Sequence, residues 1–322
     1  MLAFITGATG FIGSHLAERL ASKGYRLRCL ARESSDTAIL RRLNAEIVTV
    51  DMSDKDGLRK ALEGVDIVYH CAGVVGEWLF EEEARRVNIV GTQNLLDASV
   101  DAKVKRFVHV SSLAVLGMKH HHNTPADAPY QLTGDIYSDT KIESEKIVMD
   151  YYERKGLPVV VVRPGFVFGT RDRRFLPRML EMLDENKFAF LGNGNNIMNL
   201  VYIDNLIDVL MEAGVNKKAI GRKYNVSNKD KVTMRDFVYM ISDIRGTKKP
   251  TKSIPVPLAK FIASSLEFYG RLTKSQSPPF LTKARIKVAS LNLDFDISKT
   301  MEDLGYDSKI TIREGLARTL KS

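Results

Sequence analysis

With 322 residues, 44% of them hydrophobic and 27% charged, the chain has the composition of a globular protein long enough for one large domain or two modest ones. That balance excludes a fibrous, disordered or repeat protein, and no run approaches the ~18 uncharged apolar residues of a membrane span. The net charge of +9 gathers between residues 245 and 287, where ten Lys or Arg face one acid, Glu267. No nucleic-acid motif accompanies it, so a solvated basic surface is expected first and attraction to an anionic ligand or acidic membrane second, with no nucleic-acid partner.

The first apolar run, Leu2 to Ile5, leads straight into Gly7-Ala8-Thr9-Gly10-Phe11-Ile12-Gly13 and then a helical pattern. The run is too short for a signal peptide, and Cys29 and Cys71 lie in apolar stretches that read as buried thiols; a cytoplasmic location is expected. A strand, a glycine turn and a helix in this register form a pyrophosphate-binding turn. Gly7 allows the tight bend, Gly10 lets the main chain approach a phosphate, and Gly13 lets the helix pack closely on the sheet. The helix N-terminus adds free N–H groups and positive dipole charge.

Further strands are expected at 26–31, 45–50, 65–72, 106–112 and 158–164. Helical spacing fills 14–24, 57–64, 90–99 and 138–156, with Gly24 and Gly156 as stops. Near-continuous apolar strands alternating with helices predict an α/β fold, a doubly wound parallel sheet whose ligands bind beyond the carboxyl ends of the strands. From about residue 170 the pattern loosens. A helix over 171–187, a strand and helix over 199–214, a strand over 222–228 and a mostly helical tail are expected. The predicted division is a dinucleotide-binding domain over 1–170 and a substrate-binding region over 171–322, with 195–215 free to return to the first domain.

TGATGFIG resembles the opening of the extended short-chain dehydrogenase/reductase superfamily, the NAD-dependent epimerase/dehydratase family. The other motifs of that group follow in order: Asp51 in VDMSD, His70-Cys71-Ala72-Gly73, Asn88-x-x-Gly91-Thr92-x-Asn94, Val110-Ser111-Ser112, Tyr137-x-x-x-Lys141 and Arg163-Pro164-Gly165. The resemblance is strong over residues 2–210 and implies a Rossmann domain. It also implies cofactor contacts from Thr6, Gly7, Gly10, Phe11, Ile12, Gly13, Arg32, Asp51, Met52, Cys71, Ala72, Gly73, Asn88, Ser111, Tyr137, Lys141, Pro164, Gly165 and Val167. In similar enzymes the helices equivalent to 88–99 and 137–154 build a dimer bundle, so a homodimer is expected.

Tyr137 and Lys141 share one helix face. A free phenol, with a pKa near ~10, is a poor base at neutral pH; an adjacent ammonium favours the phenolate. Tyr137 is therefore expected to exchange the substrate's hydroxyl proton as hydride moves to or from a nicotinamide, with Lys141 anchoring the ribose and Ser112 hydrogen-bonding the substrate oxygen. At the end of the second strand, Ala31 stands where NAD enzymes place an acid, and Arg32 follows. A 2′-phosphate is then better received than a 2′-hydroxyl, so NADP is expected over NAD.

Nucleotide-sugar enzymes of the superfamily carry an Asn and an Arg near the sugar-nucleotide diphosphate; here Phe166 and Met198 stand there. Val201-Tyr202-Ile203-Asp204-Asn205 is similar to the 3-beta-hydroxysteroid dehydrogenase group. Ser112, Phe166, Met198 and Tyr202 are the expected substrate contacts, and the expected activity is an alcohol/ketone oxidoreductase on a largely apolar small molecule. The alternatives are a nucleotide-sugar epimerase or dehydratase, with Arg171, Arg173 or Arg174 on the diphosphate, and a non-catalytic dinucleotide-binding subunit. His120-His121-His122 reads as a solvated loop with no metal role. Trp78 and Phe80 fit pocket wall and plain packing equally. Residues 254–272 read first as a helix closing the substrate region and second as an interfacial helix on an acidic membrane.

Overall fold

The computed structural model describes residues 1–76, 79–272 and 282–321. Its central sheet holds seven parallel strands: β1 (Leu2–Thr6), β2 (Arg26–Leu30), β3 (Glu46–Val48), β4 (Ile67–His70), β5 (Arg106–Val110), β6 (Val159–Pro164) and β7 (Arg222–Val226). The order across the sheet is β7-β6-β5-β4-β1-β2-β3, so its direction reverses between β1 and β4. Thr6 pairs with Leu30 on one side and His70 on the other. That reversal opens a crevice beyond the carboxyl ends of β1 and β4.

Alternation along the strands feeds two apolar layers. Ile5, Val108, Val110, Val160 and Val162 pack with Leu16 and Leu20 of α1 (Phe11–Ser22). Phe4, Val68, Phe107, Val159 and Val161 pack with Leu95 and Leu96 of α2 (Thr92–Asp101) and Val148 and Tyr151 of α3 (Ile136–Lys155). Asp135 caps α3 by accepting from the Ser138 N–H at 2.9 Å, and Gly156 ends it in the left-handed region.

Beyond residue 170 the chain forms α4 (Phe175–Asp184), α5 (Ile203–Val215), α6 (Met234–Arg245), α7 (Val256–Leu272) and, after helices Lys283–Ser290 and Ser298–Leu304, α8 (Ile312–Leu320). α5 lies on the sheet beside α1, contributing Leu206 and Leu210 to the first apolar layer, and β7 extends the sheet by pairing with β6. Short strand pairs knit the remainder: 166–168 with 200–202, 197–198 with 232–233, and 190–191 with 253–254.

Two local expectations need correction. The helix read at 90–99 begins at residue 81 and passes through a π turn, Arg86–Gly91, before becoming α2. The histidine triplet is not a solvated loop: His121–Thr124 is a strand paired with Leu293–Phe295. His121 is buried there, donating from Nε2 to the Gly117 carbonyl at 2.9 Å with its ring 4.3 Å from that of Phe295. His120 and His122 stay exposed.

Candidate active site

The glycine turn closes at the crevice. Gly7 has φ +69°, and a Cβ there would stand 2.8 Å from the Ala72 nitrogen of the neighbouring loop. Gly13 is more tightly constrained: a Cβ would lie 2.2 Å from the Gly7 carbonyl oxygen. Gly10 is the N-cap of α1 and donates to the Gly7 carbonyl at 2.9 Å; no side chain caps the helix. The first N–H groups of α1, ending at half-buried Phe11 and Ile12, are therefore available to an anion. This cradle fits a dinucleotide diphosphate. Side chains at Gly7 or Gly13 would collide with the backbone that forms it.

Beneath the cradle a buried polar chain spans the switch point. Thr92 spends its proton on the Asn88 carbonyl at 2.7 Å, so His70 Nε2 donates to Thr92 Oγ1 at 2.9 Å. His70 Nδ1 is then the acceptor for Thr6 Oγ1 at 2.7 Å, and Thr6 accepts from the Ala72 N–H at 3.1 Å. The imidazole is neutral: burial, followed by the Lys141 charge, pushes its pKa down to about 3. Asn88, set in the π turn, grips the next loop on both sides. Its Oδ1 accepts from the Val74 N–H at 2.8 Å, and its Nδ2 donates to the Val74 carbonyl at 3.2 Å and to Thr140 at 3.1 Å. Burial raises the Cys71 thiol to about 12, so it lines the crevice as a neutral group.

α3 carries Tyr137 and Lys141 on one face. Ser112 lies beside the Tyr137 phenol and favours its ionised form. Lys141 is buried, with Nζ donating to the Val110 carbonyl at 2.9 Å; burial lowers its pKa to about 8, against the pull of Cys71 and Glu145. A Cβ on Gly73 would sit 3.4 Å from that Nζ. The expectation of a phenol made acidic by Lys141 is corrected here. Burial holds the Tyr137 pKa above its ordinary value, outweighing the pull of Ser112; Asp135 pushes it further up and Arg174 pulls it down. Lys141 is turned to the strand carbonyl.

The sequence reading missed what fixes α3. Glu145 follows Lys141 by one turn and is fully buried with Arg163 of β6. Arg163 Nε donates to both carboxylate oxygens, at 2.9 and 3.1 Å, its Nη2 makes a further bond to Oε1, and its Nη1 reaches the Ala126 carbonyl at 2.6 Å. Ser111 Oγ and the Tyr130 hydroxyl donate to the same carboxylate at 2.6 and 3.1 Å. Every oxygen is satisfied, and three elements are tied behind the catalytic side chains. Arg163 was visible only as part of a strand-end motif, and the Glu145 partner only as an acid one turn after Lys141.

The other expected positions divide. Arg32 is exposed at the end of β2, beside buried Ala31. Asp51 is exposed and accepts from the Ser53 N–H and hydroxyl at 2.8 and 2.6 Å; the Met52 carbonyl receives Asn94 Nδ2 at 2.9 Å. Pro164 ends β6, the Gly165 N–H donates to the Val226 carbonyl at 2.9 Å, and Val167 pairs with Val201. Phe166 is half-buried and stacks on Phe175, ring centroids 5.4 Å apart. Met198 and Tyr202 are core residues. The Tyr202 ring packs against Phe168 at 5.5 Å and against Gly315 of α8. Arg171 is engaged by Glu18 at 2.6 Å, whereas Arg174 hydrogen-bonds the Val75 carbonyl at the rim of the Asn88-held loop. Phe80 is exposed; Trp78 lies outside the described residues.

The pattern of the NAD dependent epimerase/dehydratase family matches residues 3–227. The chain is 29% identical to 3beta-hydroxysteroid-dehydrogenase/decarboxylase isoform 2 of Arabidopsis thaliana over 99% of its own length, spanning 61% of that protein. It is 28% identical to the 2-alkyl-3-oxoalkanoate reductase of Shewanella oneidensis, covering 98% of this chain and 84% of the relative. Among solved structures, UDP-glucuronic acid 4-epimerase from Bacillus cereus superposes with a TM-score of 0.79 at 24% identity, over 100% of this chain and 98% of that one, a likeness of fold.

Proposed function

Because the chain belongs to the NAD dependent epimerase/dehydratase family, we propose that it transfers a hydride between a nicotinamide dinucleotide and a secondary alcohol or ketone on a largely apolar substrate. It is an NAD(P)-dependent oxidoreductase of the extended short-chain type. The observation that carries the reading is Tyr137 one turn before buried Lys141 on α3, with Lys141 Nζ held by the Val110 carbonyl at the carboxyl end of β5 and Ser112 beside the phenol.

A bound nicotinamide dinucleotide supplies the hydride acceptor or donor. Tyr137 exchanges the proton of the substrate oxygen, and Ser112 donates to that oxygen as charge builds on it. Because burial opposes the phenolate, positive charge must come close when Tyr137 ionises; Lys141, released from the Val110 carbonyl, is the side chain placed to bring it. Asn88 holds the Gly73–Val74 loop so that the cofactor floor keeps its shape. We assign Arg32 to the 2′-phosphate of NADP, with Ala31 removing the repulsion an acid would exert. The enzyme is proposed to be cytoplasmic and a homodimer through α2 and α3.

The Phe166–Phe175 stack supports an apolar skeleton over a nucleotide sugar. Arg174 refines it. Its charge acts on the Tyr137 phenol from the loop rim, where it would receive a carboxylate next to the reacting carbon. The names of the two relatives point the same way, one a dehydrogenase/decarboxylase and the other a 3-oxoalkanoate reductase. The test is turnover of NADPH and NADP with long-chain 3-oxo and 3-hydroxy acids, their methyl esters, steroids and UDP-sugars. Preference for the free acids, lost in Arg174→Met, and a kcat at least ~10²-fold lower in Tyr137→Phe with dinucleotide binding intact, are expected. Epimerisation of a UDP-sugar, or tight dinucleotide binding with no turnover, would overturn the reading.

A further inference from the structure

Most amphipathic helices hide their large apolar side chains. α7 does the reverse. Its buried contacts come from Ala259 and Ala263, which meet Ile286 together with Leu191, Ile254 and Val256. On its outer side stand Leu258, Phe261, Ile262, Leu266 and Phe268, with Phe261 and Phe268 each 71% exposed. At the helical angle per residue these five fall on one face roughly 160° wide. The described residues leave it uncovered. A second chemical signature comes from the sequence on either side of it. Lys248, Lys249 and Lys252 are exposed on the lead-in to the helix, and Lys260 is exposed on α7 itself. Lys249 pairs with Asp243 at 2.9 Å and Lys252 donates to the Asn186 carbonyl at 3.2 Å. Even so, the stretch from 245 to 287 holds ten cations against one acid in a chain of net charge +9.

From these two features we infer that α7 docks this protein on the surface of an anionic lipid bilayer. The helix lies in the interface plane, its apolar stripe at the acyl boundary and its lysines among acidic headgroups. Charge selects this occupant. A second copy placed face to face would bring one basic stretch against another, whereas an anionic membrane complements both the apolar stripe and the cations that flank it in sequence. Attachment is peripheral: no helix among the described residues is long and apolar enough to cross a membrane. The docking stands independently of the substrate, because it uses no side chain of the catalytic site.

The experiment is co-sedimentation of the full-length protein with phosphatidylcholine vesicles and with vesicles enriched in phosphatidylglycerol, at low and physiological salt. Strong binding to the phosphatidylglycerol vesicles alone, weakened by salt and reduced at least ~10-fold in the double variant F261E/F268E, is expected. A second variant, K248E/K260E, should lose the preference for acidic lipid while keeping its melting temperature. Absence of sedimentation with acidic vesicles at low salt would overturn the inference, as would unchanged binding by F261E/F268E or equal binding to both vesicle types. Self-association of the wild type without vesicles, abolished by F261E/F268E and unaccompanied by lipid binding, would overturn it in favour of a second copy.

Discussion

α3 and α7 both depart from the apolar-inside pattern, in opposite directions. α3 turns Ser138, Thr140, Lys141, Ser144 and Glu145 into the interior, each buried. α7 turns two alanines inward and five large apolar groups outward. In α3 the buried polar groups are matched: Lys141 meets a strand carbonyl, Glu145 an arginine and two hydroxyls, Thr140 an asparagine. Such burial is tolerated only where every donor and acceptor is answered. In α7 the five aliphatic and phenylalanine groups left outside need no polar partner, and they stand exposed. The difference separates a helix completed by its own protein from one completed by something else.

The contrast can be broken first at Arg163. Arg163→Met leaves the Glu145 carboxylate buried beside two hydroxyls without its cation, and a loss of ~3–5 kcal/mol in unfolding free energy by urea titration is expected. A loss under ~1 kcal/mol would show that α3 does not depend on this pair. A pH titration addresses Lys141. Its folded pKa, about 8, lies below the ordinary 10.5, so between these values the unfolded chain holds more protons and stability rises with pH. The charged amine's burial penalty is fully present below about 8 and is relieved as pH climbs through that window. Lys141→Met should flatten the rise, which denaturant melts at stepped pH would detect.

A smaller effect belongs to an exposed cation. Arg32→Ala should raise the KM for NADP about tenfold and leave that for NAD nearly unchanged, the value of one charge-assisted contact at an open site. Smallest is the expected change in stability of F261E/F268E: within about 0.5 kcal/mol per site, because neither ring is packed against the described residues. A large destabilisation there would erase the contrast between the two helices.

The nucleotide half was legible because its signals are local. A glycine turn after an apolar strand needs no distant partner to be recognised, and Tyr137 and Lys141 share a face by spacing alone. What escaped depends on partners far along the chain. Nothing near Arg163 announces Glu145, and the short RKYNV segment does not advertise that it completes the sheet as β7. Tyr202 sits beside a recognisable strand, yet its ring packs on Gly315 more than a hundred residues later. The acidity expected for Tyr137 failed for a related reason: spacing reports that a charge is near, whereas burial of the phenol is a property of the whole assembled interior.

The threonine–histidine chain under the glycine cradle runs one way only. Each hydroxyl has a single proton to give and the neutral imidazole one in all, and the Asn88 carbonyl at one end and the Ala72 amide at the other fix who gives to whom. None of the links can reverse alone. The floor of the nucleotide crevice and the helix that starts at Thr92 are thus geared together, and a tilt of that helix is felt at the Ala72 amide without any contact with the bound dinucleotide.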